Sequence, residues 1–279
     1  MKLAYSTLAC PAWTWQQAIA AARDYGYDGI EWRLIDGQVV SSDFPAARSR
    51  EIKAAVAAAG LLTCALDTGN SLAHPPGPVR ERNLQEVAAL LQVAQALGTD
   101  ILRVFPGKYP ATVSDEQAIE WVVAGLNHLL PQAQATGVRI ALELHDSFDW
   151  QRKKLRGTTT STFVAQVLAQ VTAPEVGVQW DLGNPYLEGE TAAETWRNLP
   201  RERLIYVHTK DMRPTSNGEW QYVPSGEGVL PLPAIIDWLR DDGFDGWLSF
   251  EWEKKWHPEL AEPEAILPHY VEYMRPQLA

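Results

Sequence analysis

At 279 residues the chain can bury a large core, and its length fits one large α/β domain as well as two small ones. Lys and Arg number 24 against 35 Asp and Glu, a net charge of -11 that opposes condensation on nucleic acid or an anionic membrane surface. No apolar run approaches the ~20 residues of a membrane span, and the Lys2 to Cys10 stretch is too short for a signal peptide. The two cysteines, Cys10 and Cys64, lie far apart and outside any CxxC spacing, so a reducing cytoplasm is expected, with neither a disulfide framework nor a thiolate metal site.

Lys2 to Thr7 reads as a strand, and Thr14 as the N-cap of an Ala-rich helix ending near Tyr25 and Gly26. Gly29 to Leu34 is a second strand, Ala46 to Ala59 a helix stopped by Gly60, and Leu61 to Asp67 a third strand leaving through Gly69-Asn70. Arg80 to Leu97 is strongly helical, Ile101 to Phe105 extended, and Asp115 to Ala135 a further helix capped by Ser114 or Asp115. The fifth strand, Ile140 to Asp146, leads through the basic loop Gln151-Arg-Lys-Lys-Leu-Arg156 into a helix over Ser161 to Val171. Strand six runs from Val176 to Asp181, with a short helix around Thr191 to Asn198, and strand seven runs from Leu204 to Lys210. A long loop carries Gly226-Glu-Gly228, and helix Pro233 to Arg240, strand Gly246 to Trp252 and helix Pro263 to Met274 complete the pattern.

These eight alternating units, with no linker, charge block or low-complexity segment between them, point to a single closed parallel (β/α)8 TIM barrel over residues 1–279. A doubly wound open sheet is the alternative. It is disfavoured because Ser6-Thr7-Leu8-Ala9 stands after the first strand in place of a glycine-rich fingerprint.

In such barrels the chemistry sits at the carboxyl ends of the strands. Glu143, Asp181, His208 and Glu251 fall near the ends of four consecutive strands, each on the polar parity of its strand. Adjacent strands lie ~4.8 Å apart, so four such side chains on a curved wall can converge on one ion. Three carboxylates and one imidazole form a hard, oxygen-rich set suited to Mn²⁺, with Mg²⁺ or Co²⁺ also fitting. The competing use of these side chains is a salt-bridge network with Arg33, Arg103 and Lys210.

Glu143-Leu-His145, Trp180-Asp-Leu-Gly-Asn184, Val207-His-Thr-Lys-Asp211, Gly226-Glu-Gly228 and Ser249-Phe-Glu251 together resemble the xylose isomerase-like sugar phosphate isomerase/epimerase superfamily, over nearly the whole chain. The resemblance implies a TIM barrel binding one divalent ion, usually Mn²⁺, through residues matching Glu143, Asp181, His208 and Glu251. In the ketose epimerases of that superfamily the two glutamates also act as acid and base across the substrate, a role the resemblance implies for Glu143 and Glu251. One residue departs from the pattern: many ketose epimerases have a histidine three residues after the metal aspartate, and this chain has Asn184.

The chemistry is coherent beside the resemblance. A metal chelating a carbonyl and its neighbouring hydroxyl stabilises the enediolate formed when the adjacent proton leaves, and two carboxylates can remove and return that proton. An isomerase or epimerase is the leading reading. A dehydratase of an inosose or dehydroshikimate type is the alternative, since the same site could expel a β-hydroxyl. A DNA-repair phosphodiesterase would need more histidine ligands and a basic face, and a sugar-binding barrel without turnover would use the same shell. Substrate contacts are expected from His145, Asn184, Lys210, Arg33 and Arg103, and from Arg156 in the basic loop; Asp211 is expected to orient a neighbour. Trp13, Trp15, Trp32, Trp252 and Trp256 fall near the expected rim, where rings pack either on sugar C–H faces or on the barrel. A homo-oligomer is left open.

Overall fold

The computed structural model describes residues 1–110, 112–145 and 158–278. Eight parallel strands close a barrel: β1 (Lys2–Ser6), β2 (Gly29–Trp32), β3 (Leu62–Ser71), β4 (Ile101–Phe105), β5 (Arg139–Glu143), β6 (Val176–Asp181), β7 (Leu204–Thr209) and β8 (Trp247–Phe250). Each strand pairs with its sequence neighbour in the barrel, and β8 returns to β1. The fold is therefore the TIM barrel expected from the alternation.

Helices α1 (Trp15–Tyr25), α2 (Ala46–Ala58), α3 (Pro78–Leu97), α4 (Asp115–Thr136), α5 (Thr160–Gln170), α6 (Asn184–Leu187), α7 (Ala192–Asn198), α8 (Leu232–Asp241) and α9 (Pro263–Met274) pack around it. Thr14, Thr159 and Thr191 each form a reciprocal capping box that satisfies orphan N–H groups at the helix starts. Parity on the strands sorts the side chains. On β6, Val176, Val178 and Trp180 join the main apolar layer between strands and helices, leaving Gly177, Gln179 and Asp181 to face the interior. A small separate cluster including Ala4, Ala65, Ile101, Ala141 and Tyr206 fills the inside of the barrel.

Several boundaries differ from the sequence reading, for physical reasons. β3 continues to Ser71 instead of leaving at Asp67, because a register shift between Asp67 and Ser71 lets the strand bulge and stay paired with β4. The Gly226-Glu-Gly228 region is preceded by a hairpin, Asp211–Pro214 with Trp220–Val223, where only a loop was expected; a smaller hairpin joins Leu34–Ile35 to Gln38–Val39. Asp211 organises the following loop: its carboxylate accepts from the backbone N–H groups of Met212, Gly226, Gly228 and Leu230. A Cβ at Gly228 would fall 1.9 Å from Asp211 Oδ1, which is why glycine stands there.

Of the tryptophans expected near the rim, Trp32 and Trp252 are buried in the core, Trp15 is buried beneath Arg48, and Trp256 is half exposed. Trp180 stacks on Trp196, which stacks on Trp238, so this series serves packing between helices and barrel. No described helix is long and apolar enough to cross a membrane.

Candidate metal centre and active site

Strand register brings the four expected donors together. Asp181 ends β6 beside His208 of β7, and Glu143 ends β5 beside Gln179, which precedes Asp181 on the same face. Glu251 follows Ser249, the β8 partner of His208, on the same parity, and its N–H extends the ladder to Thr209 O. Ligand atoms from Glu143, Asp181, His208 and Glu251 lie within 4.8 Å of one another, and all four residues are buried.

The donors are held by an overlapping set of partners. Asp181 Oδ1 accepts from the N–H groups of Gly183 at 2.9 Å and Asn184 at 2.6 Å, which turns Oδ2 toward the cluster. Gly183 is required by close approach, since a Cβ there would lie 2.6 Å from Lys210 Cδ. His208 places Nε2 2.8 Å from Glu31 Oε1, while Nδ1 lies 3.4 Å from Glu251 Oε1 and 3.8 Å from Asp181 Oδ2. Glu143 Oε2 is 3.0 Å from Arg103 Nε, and Glu143 Oε1 accepts from Asn184 Nδ2 at 3.3 Å. The Arg103 guanidinium also reaches Asp67 Oδ2 at 3.4 Å and Thr68 O at 2.7 Å, and lies over the Phe105 ring. Lys210 Nζ bridges Asp181 Oδ2 at 2.8 Å and Glu251 Oε2 at 2.5 Å, with Glu253 Oε1 at 3.3 Å; Tyr222 donates to that same Glu253 oxygen.

The electrostatics follow from burial and these contacts. Burial raises the Glu143 carboxyl, only partly offset by Arg103. Burial acts the same way on Glu251, but Lys210 and His208 outweigh it and hold that carboxyl well below its usual range. For Lys210, burial is outweighed by Asp181 and Glu251, so the ammonium is strongly favoured. The two carboxylates on which proton chemistry would rest thus sit in opposed environments.

Whether these residues suit a divalent ion can be judged from what they leave unsatisfied. Among the described residues, His208 Nδ1 is buried without a hydrogen-bond partner, while Asp181 Oδ2 and Glu143 Oε2 are met by the Lys210 ammonium and the Arg103 guanidinium as ion pairs. The ammonium of Lys210 and the guanidinium of Arg103 pair with carboxylates, so the salt-bridge network expected from sequence is present for these two cations and, among the described residues, not for Arg33. Neither cation gives His208 Nδ1 a partner. A dication at the convergence of the four donors would, and the set of three carboxylates and an imidazole is chemically apt for one. The second acidic group, Glu31 and Asp67 with His208, also has atoms within 4.8 Å of one another, but Arg103, Tyr206 and Ser249 already fill it.

A cavity of about 70 Å³ opens beside the donors, lined in part by Arg33, Arg103, Phe105, His145, Asn184 and Trp256. His145 lies just beyond β5, its ring 4.4 Å from that of Phe105. Arg33 reaches Asp67 O at 3.4 Å and makes no ion pair among the described residues; burial and the neighbouring Arg103 push its guanidinium down to about 10. The basic loop that includes Arg156 lies outside the described residues. A larger groove of about 680 Å³ around Lys2, Asp100, Arg139 and Trp247 sits at the opposite, amino end of the strands, away from the donor cluster.

Sequence reasoning missed Glu31, Asp67, Tyr206 and Glu253. Asp67 carried the same signal as Asp181, a carboxylate closing an apolar strand, and Glu31 shares its parity with Arg33.

A family model for the xylose isomerase-like TIM barrel matches residues 19–277. The chain belongs to this family. It is 21% identical to L-ribulose-5-phosphate 3-epimerase UlaE of Salmonella paratyphi B over 95% of its own length and 90% of the relative's. It is 22% identical to the inosose dehydratase of Lacticaseibacillus casei over 52% of its length, and there it spans only about half, 50%, of the relative. Among solved structures, the IOLI protein with a bound zinc atom superposes with a TM-score of 0.79 at 18% identity, covering 100% of this chain and 98% of that one.

Proposed function

We propose that this family member is a divalent-metal-dependent isomerase or epimerase acting on a small sugar or related polyhydroxylated carbonyl compound. The observation that carries the reading is the convergence of Glu143, Asp181, His208 and Glu251, with ligand atoms within 4.8 Å of one another and His208 Nδ1 turned toward Asp181 and Glu251 without a hydrogen bond. These four hold the ion, with manganese preferred for this hard donor set and magnesium or cobalt as alternatives. A bound dication would supply Lewis-acid polarisation of the substrate carbonyl.

The remaining work falls to the chain. Glu251, held ionised by Lys210 and His208, takes a proton from the carbon beside the carbonyl, and Glu143, whose carboxyl is raised by burial, returns one from the side held by Arg103 and Asn184. Lys210 restrains Glu251 and Asp181, its ammonium committed to them and to Glu253. Arg33, His145 and Asn184 orient the hydroxyls from the cavity wall, where Arg103 holds Glu143 in place. A cytoplasmic protein of one domain over residues 1–279, with a sugar-derived substrate, no nucleic-acid or membrane partner, and a homo-oligomeric form left open, accompanies this reading.

A second reading has its own support. Asn184 occupies the position where a histidine marks many ketose epimerases, and an inosose dehydratase is among the relatives, so loss of a β-hydroxyl as water is the alternative reaction. Incubating the Mn²⁺-loaded protein with ketoses and inososes in D₂O separates the cases. Deuterium entering carbon in a product of unchanged composition supports isomerisation or epimerisation, and loss of one water supports the dehydratase. A protein that binds these compounds yet neither exchanges nor converts any of them would be a sugar-binding barrel.

A further inference from the structure

Glu31 belongs to no role assigned so far, yet it is fully buried and in direct contact with one of the four donors. A carboxylate removed from water needs hydrogen-bond donors on its oxygens. Glu31 has three: His208 Nε2 at 2.8 Å and the Tyr206 hydroxyl at 2.9 Å on Oε1, and the Ser249 hydroxyl on Oε2. Asp67 Oδ1 lies 3.2 Å from the same Tyr206 hydroxyl. All of these groups sit inside the barrel beneath the cluster, on β2, β3, β7 and β8.

The consequence is a choice of tautomer. An ionised carboxylate accepts and cannot donate, so the hydrogen of the His208 imidazole is directed to Nε2. The other nitrogen, Nδ1, is the one that faces Glu251 and Asp181 and has no hydrogen bond. With Nε2 carrying the proton, Nδ1 presents a lone pair to the ion. The Tyr206 and Ser249 hydroxyls fix the carboxylate from two sides, so the ring cannot turn without leaving Glu31 unsatisfied. We propose that Glu31, clamped by Tyr206 and Ser249, is the positioning residue that sets the His208 tautomer and aims Nδ1 at the divalent ion. This rests on the metal reading of the site given above. Outer carboxylates of this kind raise the basicity of the imidazole, and their loss typically weakens metal binding about 10- to 100-fold.

The test is calorimetric titration of the ion-free protein with Zn²⁺, together with ¹⁵N imidazole spectra of the Zn²⁺ complex. Wild type is expected to bind about one ion per chain, with Nδ1 of His208 on the metal and Nε2 protonated. Glu31→Gln keeps the shape and loses the charge, and its Zn²⁺ affinity is expected to fall about 10- to 100-fold. If that variant lacks a cooperative thermal transition, Tyr206→Phe takes its place: it removes one donor from Glu31 and is expected to weaken binding about 5-fold, the equivalent of one net hydrogen bond. A general structural role would not determine which nitrogen meets the ion, so the spectra distinguish positioning from packing. Folded Glu31→Gln, or Tyr206→Phe in its place, binding Zn²⁺ as tightly as wild type overturns the inference, as does Nε2 on the metal; either leaves the metal reading intact. Wild type that binds no divalent ion defeats both.

Discussion

Lys210 Nζ lies 2.8 Å from Asp181 Oδ2, so one buried carboxylate oxygen faces both an ammonium and the point where the four donors converge. In the absence of an ion, Lys210 is the cation that balances Asp181 and Glu251. Removing it leaves two buried carboxylates without their main counter-charge, a change that costs about 3–5 kcal/mol when a buried pair is broken. Lys210→Met should therefore destabilise the chelator-treated protein, and added Mn²⁺ should restore much of the loss. Thermal melts with EDTA and with Mn²⁺ measure this, and an unchanged EDTA melting temperature would show that Lys210 is not the balancing charge.

Asp181→Ala and His208→Ala each remove a donor from the centre of the cluster and leave the remaining carboxylates facing one another. Purified wild type is expected to hold about one divalent ion per chain, and each variant to lose it. Elemental analysis decides the matter: stoichiometric metal retained in both variants places the ion elsewhere.

Glu143→Gln and Glu251→Gln preserve side-chain shape and abolish the proton carrier. Turnover should fall by ~10²–10⁴-fold, with substrate binding affected less. Solvent deuterium exchange reports the step directly, and exchange at the wild-type rate in both variants would sink the assignment of acid and base.

The loop after the Asp211–Val223 hairpin offers a test independent of metal. Asp211→Asn weakens four contacts to the N–H groups of Met212, Gly226, Gly228 and Leu230, a loss expected at about 1–3 kcal/mol. Gly228→Ala forces a methyl onto the Asp211 carboxylate and should reach about 3 kcal/mol, the upper end for overpacking. Denaturant titration gives both values, and a Gly228→Ala protein as stable as wild type would mean that the loop rearranges freely.

The barrel was legible because apolar strands and glycine-stopped helices alternate through the chain, and tertiary packing only adjusted their ends. Glu143, Asp181, His208 and Glu251 could be found because each closes an apolar strand on the inward parity. Glu31 could not be singled out in the same way. Within Gly29-Ile-Glu-Trp32 its parity is visible, but the donors that define its role, Tyr206 and Ser249, come from β7 and β8, which do not pair with β2 and meet Glu31 inside the closed barrel. The charge partners were hidden for a different reason: Arg103 was recognisable as inward, yet its choice of Glu143 and Asp67 depends on the register of β4 against β3 and β5, which strand patterns do not give. The hairpins beyond the barrel were missed because strands of two to four residues carry little periodic signal.

Arg33 carries the final prediction, which concerns the charge of the substrate. Its guanidinium lines the cavity beside the donor cluster, and its one side-chain hydrogen bond among the described residues is the 3.4 Å contact to Asp67 O. Arg103, its neighbour, is committed to Glu143 and Asp67, so Arg33 is the guanidinium available to a ligand oxygen. A carboxylate or phosphate could take two parallel N–H bonds from it, worth about 1.5–3 kcal/mol for a charged partner. Arg33→Met should then raise KM by ~10-fold or more for a substrate bearing such a group and leave kcat and metal content unchanged, the pattern of lost uniform binding. Neutral sugars of the same carbon skeleton should respond far less. The salt dependence of kcat/KM for the charged substrate should also flatten, because a charge at the cavity mouth has been removed. Paired measurements on a ketose, its phosphate and a carboxylate analogue separate these outcomes. Equal changes in KM for charged and neutral substrates would assign Arg33 to balancing the carboxylates of the site, and a neutral sugar would then be the substrate class that the cavity fits.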